Sequence, residues 1–423
     1  MRIHMKLAAA VLAIAFAASP AVAQRAAPAQ MENGFAQDRL ARIDSYVQAA
    51  VDSNRIAGAV LLVMRDGKTV YERAFGWADK DAGRRMTTDA IFRIASMSKA
   101  ITSATLLSLM EDGRLAVNDN VSMYIPTFVQ TKVSVVTDTG AATVNAKRQI
   151  RLADLLTHTA GISYGTDARV AARYQAAGLG LAAGAGWYTA DKDEAICTTM
   201  ERLGTLPIVA QPGEAYVYGY NIDILGCVAE RASGQPLDEL VRARVTEPLG
   251  MSDTHFFLPP AKKQRLVTVY ASDSTNHAAR AIEGSRGQGH YVDGPRKSFA
   301  GGAGLVSTAR DYARFLEAIR NGGVLDGHRI LAPHTVDLMT TNQSGTLHST
   351  TGLGFGYGFQ TVDRYGANGL ESVGSYGWGG AYGGLYFVDP KERIVAVFMI
   401  NQVPLRHDLR AKFATLVYQA LVK

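Results

Sequence analysis

One stretch of this chain could do covalent chemistry. Ile94-Ala95-Ser96-Met97-Ser98-Lys99-Ala100 holds the only S-x-x-K in the sequence, and a run of good helix formers follows from Ile101 to Met110 and stops at Gly113. The spacing predicts Ser96 at the start of a helix with Lys99 one turn on, on the same face. Unpaired backbone N–H groups and the helix dipole both favour negative charge at that position. An amine taken out of water there can give up its proton near neutral pH and accept one from a serine hydroxyl. The plainer reading of a lone S-x-x-K is an N-cap serine and a solvated lysine. The rest of the chain decides between the two.

Two further stretches stand out by composition and register. Tyr218-Gly219-Tyr220 follows Pro212-Gly213 and leads into Asp223-Ile224-Leu225-Gly226. Alone, a tyrosine in a stretch that holds Tyr216, Tyr218 and Tyr220 reads as a packing residue. Trp378-Gly379-Gly380-Ala381 opens a late strand-like run, and its glycines would let backbone approach a substrate closely. Gly161-Ile162-Ser163-Tyr164-Gly165 matches the G-x-S-x-G nucleophile elbow, which needs a preceding strand. Leu152-Ala153-Asp154-Leu155-Leu156 before it is instead amphipathic at helical spacing, so Ser163 is the second choice of nucleophile. Gly178 to Gly184 faintly imitates a dinucleotide loop but lacks a strand before it and reads as a flexible loop.

Around these stretches, periodicity predicts a helix over 40–51 and strands over 57–64 and 69–75 joined by Arg65-Asp66-Gly67-Lys68, where Asp-Gly signals a hairpin. Strands return at 381–388 and 393–400, and a helix from about 409 to 422 closes the chain. The pattern implies an α/β (α+β) fold: an antiparallel sheet built from both chain ends and flanked by helices, with a mostly helical region inserted. The sheet part takes residues 36–95 and 299–423, the helical part 96–298, with the Ser96 helix at their interface.

Composition bounds the function. The N-terminus reads as a secretory signal, with basic Arg2 and Lys6, an apolar run from Leu7 to Ala18, and Ala21-Val22-Ala23 as the cleavage site. Residues 24–35 read as a loose lead-in. The protein is thus expected to be exported, periplasmic or secreted, and the apolar run is too short for a permanent anchor. Net charge is +6, falling to +4 without residues 1–23, and no Arg/Lys cluster would track phosphates. Nucleic acid is not indicated. Nine histidines give no metal-ligand spacing, and no cofactor is implied. Cys197 and Cys227 could pair in an exported protein, though Cys227 in its apolar helical pattern reads as a small core residue.

With Ser96, Lys99, Tyr218 and Trp378-Gly379-Gly380 in this order, the chain resembles the serine beta-lactamase and penicillin-binding superfamily, and within it class C enzymes and family VIII carboxylesterases. The resemblance runs from about Leu40 to the C-terminus. It includes Leu155-Leu156-Thr157-His158-Thr159-Ala160-Gly161, Glu247-Pro248-Leu249-Gly250-Met251 and Gly301-Gly302-Ala303-Gly304-Leu305, family markers in which His158 reads as structural. It implies Ser96 as nucleophile, Lys99 and Tyr218 as the acid/base pair, and the Ser96 and Ala381 N–H groups as an oxyanion hole. Trp378, Gly379, Gly380 and Tyr220 would touch substrate. Trp378 stands where a cationic or polar residue helps hold a beta-lactam carboxylate, Tyr220 where an Asn amide is usual, and Gly219 where Ser is usual. The expectation is therefore a small-molecule carboxylic ester as substrate. A beta-lactamase, a D-alanyl-D-alanine carboxypeptidase, an acyltransferase and a ligand-binding module without turnover remain the alternatives.

Overall fold

The computed structural model describes residues 31–137, 140–184, 189–282 and 287–422. The export segment and the start of the lead-in lie outside the described residues. The end of the lead-in is not loose: Met31–Glu32 pairs with Phe35–Ala36, and Phe35 is fully buried. An apolar Phe35 beside the last helix explains the difference, since Ala36 N–H donates to Ala420 O at 2.9 Å.

The first helix, α1 (Gln37–Asp52), buries Leu40, Ile43, Val47 and Ala50, a stripe at the 3.6-residue period. Strands β1 (Gly58–Arg65) and β2 (Lys68–Asp79) then form the expected hairpin. Asp66 and Gly67 both have positive φ, +51° and +72°, as a two-residue turn of the right twist requires. β2 runs four residues past Phe75 because it bends at Gly76 and goes on to pair with β3 (Arg84–Arg85). From the far end of the chain come β4 (Leu353–Phe355), β5 (Gln360–Val362), β6 (Tyr376–Gly379), β7 (Gly383–Asp389) and β8 (Ile394–Asn401). All eight form one antiparallel sheet in the order β4-β5-β6-β7-β8-β1-β2-β3. β8, from the C-terminal end, lies hydrogen-bonded against β1, from the N-terminal end.

Alternation along the strands feeds two cores. Leu61, Val63, Ile394, Ala396 and Phe398 pack with α1 and the last helix, Leu409–Tyr418. Val60, Leu62, Val395, Val397 and Met399 face the opposite core. Two helices of that core matter for the site. α2 (Ser98–Glu111) is buried at every position from Ser98 to Leu109, and α5 (Ala309–Arg320), capped by Thr308 Oγ1 accepting from Asp311 N–H, sends Tyr312 Oη to Met97 O at 2.8 Å.

Between them lie the short helix α3 (Leu152–Leu156) and α4 (Asn221–Ser233), which packs on α2. This middle region is less uniformly helical than its composition suggests. It includes hairpins Lys132–Thr137 with Gly140–Asn145 and Tyr270–Ser272 with Ala278–Arg280. No helix among the described residues is long and apolar enough to cross a membrane.

Cys227 is in the core, as its pattern suggests, and it is also joined to Cys197 by a disulfide across a separation of 30 residues. Closing a loop of that length stabilises a fold by about 3–4 kcal/mol in the chain-entropy model. Thermal melts with and without a strong reductant, and of Cys197→Ala with Cys227→Ala, should show a loss of several degrees. Superimposable melts would mean that the bridge adds nothing.

Candidate active site

Ser96 is set by a backbone that turns sharply just before it. Ala95, fully buried, has φ +43°, a conformation that costs a non-glycine residue on the order of 1–3 kcal/mol. The chain then makes a single 3-10 turn, Ala95–Met97, and only at Ser98 enters α2. Ser96 therefore stands one short turn ahead of the α-helix rather than capping it. Its side chain is half-buried, and Lys99, 1% exposed, points Nζ at its Oγ across 3.2 Å. The same Nζ donates to the carbonyl O of Gly302 at 2.7 Å and to the Tyr164 hydroxyl at 3.0 Å. It also lies 4.7 Å from the centre of the Tyr218 ring.

Tyr164 is the residue that sequence reasoning missed. It belongs to the Gly161–Gly165 match, whose serine is elsewhere: Ser163 is 5% exposed and its Oγ accepts from Gly165 N–H at 3.1 Å. The stretch follows α3 and a loop, not a strand, so no nucleophile elbow forms. The only hint in the sequence is that Tyr164 sits just after Thr157–Gly161, and a motif alone does not say which of two neighbouring side chains turns inward.

Tyr218 is held against that loop. Val217 N–H donates to His158 O at 2.7 Å, and a Cβ on Gly219 would collide with Ile162 O, which explains glycine there. His158 is fully buried, with Nδ1 2.9 Å from Asn221 Nδ2 and its ring 4.5 Å from that of Tyr218. Burial drives its basicity well below the ordinary range, so it stays a neutral packing partner. The Trp378 indole N–H donates to the Tyr218 hydroxyl at 3.1 Å, fixing one partner of that oxygen.

The expectation for Tyr220 is corrected. It is fully buried, its hydroxyl accepts from Gly180 N–H at 2.7 Å, and its ring packs on Tyr164 at 4.9 Å. It leads into α4 and faces the core, so it cannot touch substrate. The Gly178–Gly184 loop thus serves as its anchor.

Gly380 accounts for the approach of the third stretch. A Cβ there would lie 2.5 Å from Ile94 O, so only glycine lets the end of β6 press against the turn that carries Ser96. Gly380 N–H donates to Gly384 O and Gly383 N–H to Gly380 O, closing a tight turn with Ala381 at its tip. Ala381 is therefore off the strand it was expected to open. Among the described residues neither its N–H nor that of Ser96 has a hydrogen-bond acceptor. Ser96, Tyr218, Trp378, Gly379 and Ala381 line one cavity of about 550 Å³. Gly377 and Gly379, lacking side chains, hollow it on the face of β6 beside the last helix, where the Arg410 guanidinium lies against Gly379. Among the described residues no carboxylate pairs with Arg410, another lining residue that the sequence patterns did not single out. Deeper in, buried Glu371 is pushed up to about 7 by desolvation.

A family model described as Beta-lactamase matches residues 43–419. Esterase EstB of Burkholderia gladioli is 34% identical over 378 residues, 85% of this chain and 90% of that protein. Protein Rv1367c of Mycobacterium tuberculosis is 33% identical over 379 residues, 85% of this chain and 89% of that protein. Among solved structures, EstCE1, described as a hydrolase with promiscuous acyltransferase activity, superimposes with a TM-score of 0.77 at 26% identity, covering 92% of this chain and all of that one.

The Gly380 contact gives a direct test of the geometry. Gly380→Ala should move the Ala381 N–H away from Ser96 while the sheet persists, lowering kcat about 100-fold, the usual cost of an oxyanion donor, with KM little changed. Steady-state kinetics beside a thermal melt checks this. A kcat within threefold of the parent would show that the close approach is irrelevant to turnover.

Proposed function

The chain belongs to the beta-lactamase family, and from that premise we propose that it is a serine hydrolase that cleaves carboxylic esters through an acyl-enzyme on Ser96. The observation that carries this reading is a buried lysine amine 3.2 Å from Ser96 Oγ, in a cavity also lined by Ala381, where the backbone N–H groups of Ser96 and Ala381 have no acceptor among the described residues. Each step can be given to a group in place. Ser96 Oγ attacks the ester carbonyl as its proton passes to Lys99 Nζ, which Gly302 O and the Tyr164 hydroxyl hold in line. The Ser96 and Ala381 N–H groups receive the charge that develops on the carbonyl oxygen. Tyr218 passes a proton to the departing alkoxide as the C–O bond breaks, leaving the acyl group on Ser96. Because Trp378 donates to the Tyr218 oxygen, the phenol's own hydrogen is free for that transfer. Water then attacks the acyl-enzyme, the same groups take and return its proton, and the acid is released.

Trp378 supports an ester rather than a beta-lactam. Its indole is committed to Tyr218 and presents an apolar face, where a cation on that strand would grip a carboxylate. Tyr220 turns inward and offers no amide. The name of EstB points the same way, and the description of EstCE1 makes acyl transfer to an acceptor other than water a second outcome of the same intermediate. We read residues 1–23 as an export signal removed after Ala23. The Cys197–Cys227 disulfide supports an oxidising compartment.

Measured on one preparation, kcat/KM for p-nitrophenyl butyrate should exceed that for nitrocefin by a wide margin. Ser96→Ala should abolish turnover, and Ser163→Ala should keep most of it. A large preference for nitrocefin overturns the ester assignment, and a single burst without steady-state turnover overturns the enzyme in favour of a ligand-binding module.

A further inference from the structure

If Lys99 takes the Ser96 proton, an ammonium forms where the side chain is 1% exposed. A buried cation is costly unless something nearby balances it. The groups facing Nζ are the Ser96 and Tyr164 hydroxyls, the Gly302 carbonyl and the Tyr218 ring, with His158 held neutral by burial. None carries negative charge.

One carboxylate is built into the layer behind them. Asp223, on the first turn of α4, is 2% exposed, and its Oδ1 accepts from Gly302 N–H and from Thr189 Oγ1, both at 3.2 Å. Its Oδ2 occupies the space that a Cβ on Gly302 would need, so the carboxylate and Gly302 are fitted to each other. The carbonyl of that same Gly302 is the one that accepts from Lys99. Gly301 before it is held by Thr102 Oγ1 of α2, which donates to Gly301 O at 2.8 Å. The Gly301–Leu305 stretch thus ties Lys99 to Asp223 through one residue, Gly302. Among the described residues no lysine or arginine forms an ion pair with Asp223, and two hydrogen bonds to one oxygen could be made as well by a neutral amide. Burial raises the Asp223 carboxyl above its ordinary range, and the charge of Lys99 pulls it back.

We propose that Asp223 is the counter-charge of Lys99, a positioning residue that holds Gly302 and stabilises the ammonium formed when Ser96 is deprotonated. The inference rests on the Ser96–Lys99 reading above. It gives a role to an aspartate three residues beyond Tyr220, in a site where the usual Asn amide beside the lysine is absent. Coupling of this kind falls off slowly in a low-dielectric interior, so a direct contact is not required.

Asp223→Asn keeps the Oδ1 acceptor and removes the charge. Without that charge the ammonium form of Lys99 is less favoured, so two changes should appear together in the kcat/KM–pH profile for p-nitrophenyl butyrate. The plateau should fall tenfold or more with KM within about threefold, and the acid limb should move to lower pH by about one unit. A purely structural role would lower the plateau and leave the limb in place, which overturns the proposal. If Asp223→Asn does not fold, Lys99→Met decides without activity. It strands the buried carboxylate, so Lys99→Met/Asp223→Asn should melt above Lys99→Met alone, and a double variant melting lower overturns the pairing. A parent enzyme without Ser96-dependent turnover would sink the hydrolase reading instead, a result these variants do not imitate.

Discussion

The structure depends on keeping one lysine amine out of water beside a serine hydroxyl. Lys99 can be dry only because α2 is buried along its length, covered by α4, by residues 237–246 and by the Gly301–Leu305 stretch. That covering explains features that look unrelated in the sequence. Several polar residues of α2 are satisfied by backbone: Ser98 Oγ accepts from Leu305 N–H, and Thr102, Thr105 and Ser108 donate to carbonyls. Glycine stands at 302 and 380 because a carboxylate and a carbonyl lie where a side chain would be. The strain at Ala95 is tolerated for the same reason, since the residues around it are fixed by a core that cannot relax.

Bringing the third stretch to this serine is a task for the whole sheet. Trp378 and Ser96 are far apart in the chain, and they meet because β8, from the C-terminal end, pairs with β1, from the N-terminal end. The sheet also lets glycines at alternate positions of β6 empty one face while Trp378 fills the other. A single indole then serves two ends. It donates to the Tyr218 hydroxyl, and its half-buried ring leaves apolar surface on the Tyr218 side of the strand. That double use is the physical reason for reading an ester in place of a beta-lactam.

Much of this was legible in the residues, and the remainder shows where pattern reading stops. The Asp66-Gly67 hairpin, the strands at both ends and the closing helix follow from periodicity and turn chemistry, which are local. Ser96 and Lys99 follow from a three-residue spacing, also local. Tyr164, Asp223 and Arg410 enter the surroundings of Ser96 only after a loop and two helices from three parts of the chain have packed, and nothing in their own neighbourhoods announces it. Tyr220 fails for the converse reason: its place in the triplet is set by sequence, while its direction is set by the Gly180 loop that receives its hydroxyl. The 3-10 turn ahead of α2 shows the same limit on a smaller scale, because the left-handed Ala95 has no sequence signature.

The central claim is that chemistry passes through a covalent bond at Ser96, and the bond itself can be observed. The protein mixed with p-nitrophenyl butyrate, quenched in acid within the first turnover, digested and mapped by mass spectrometry should carry one butyryl group, on the peptide that contains Ser96. That species should be absent from Ser96→Ala. Butyryl found on Ser163, or turnover at full rate with no acylated peptide at any quench time, would contradict the account.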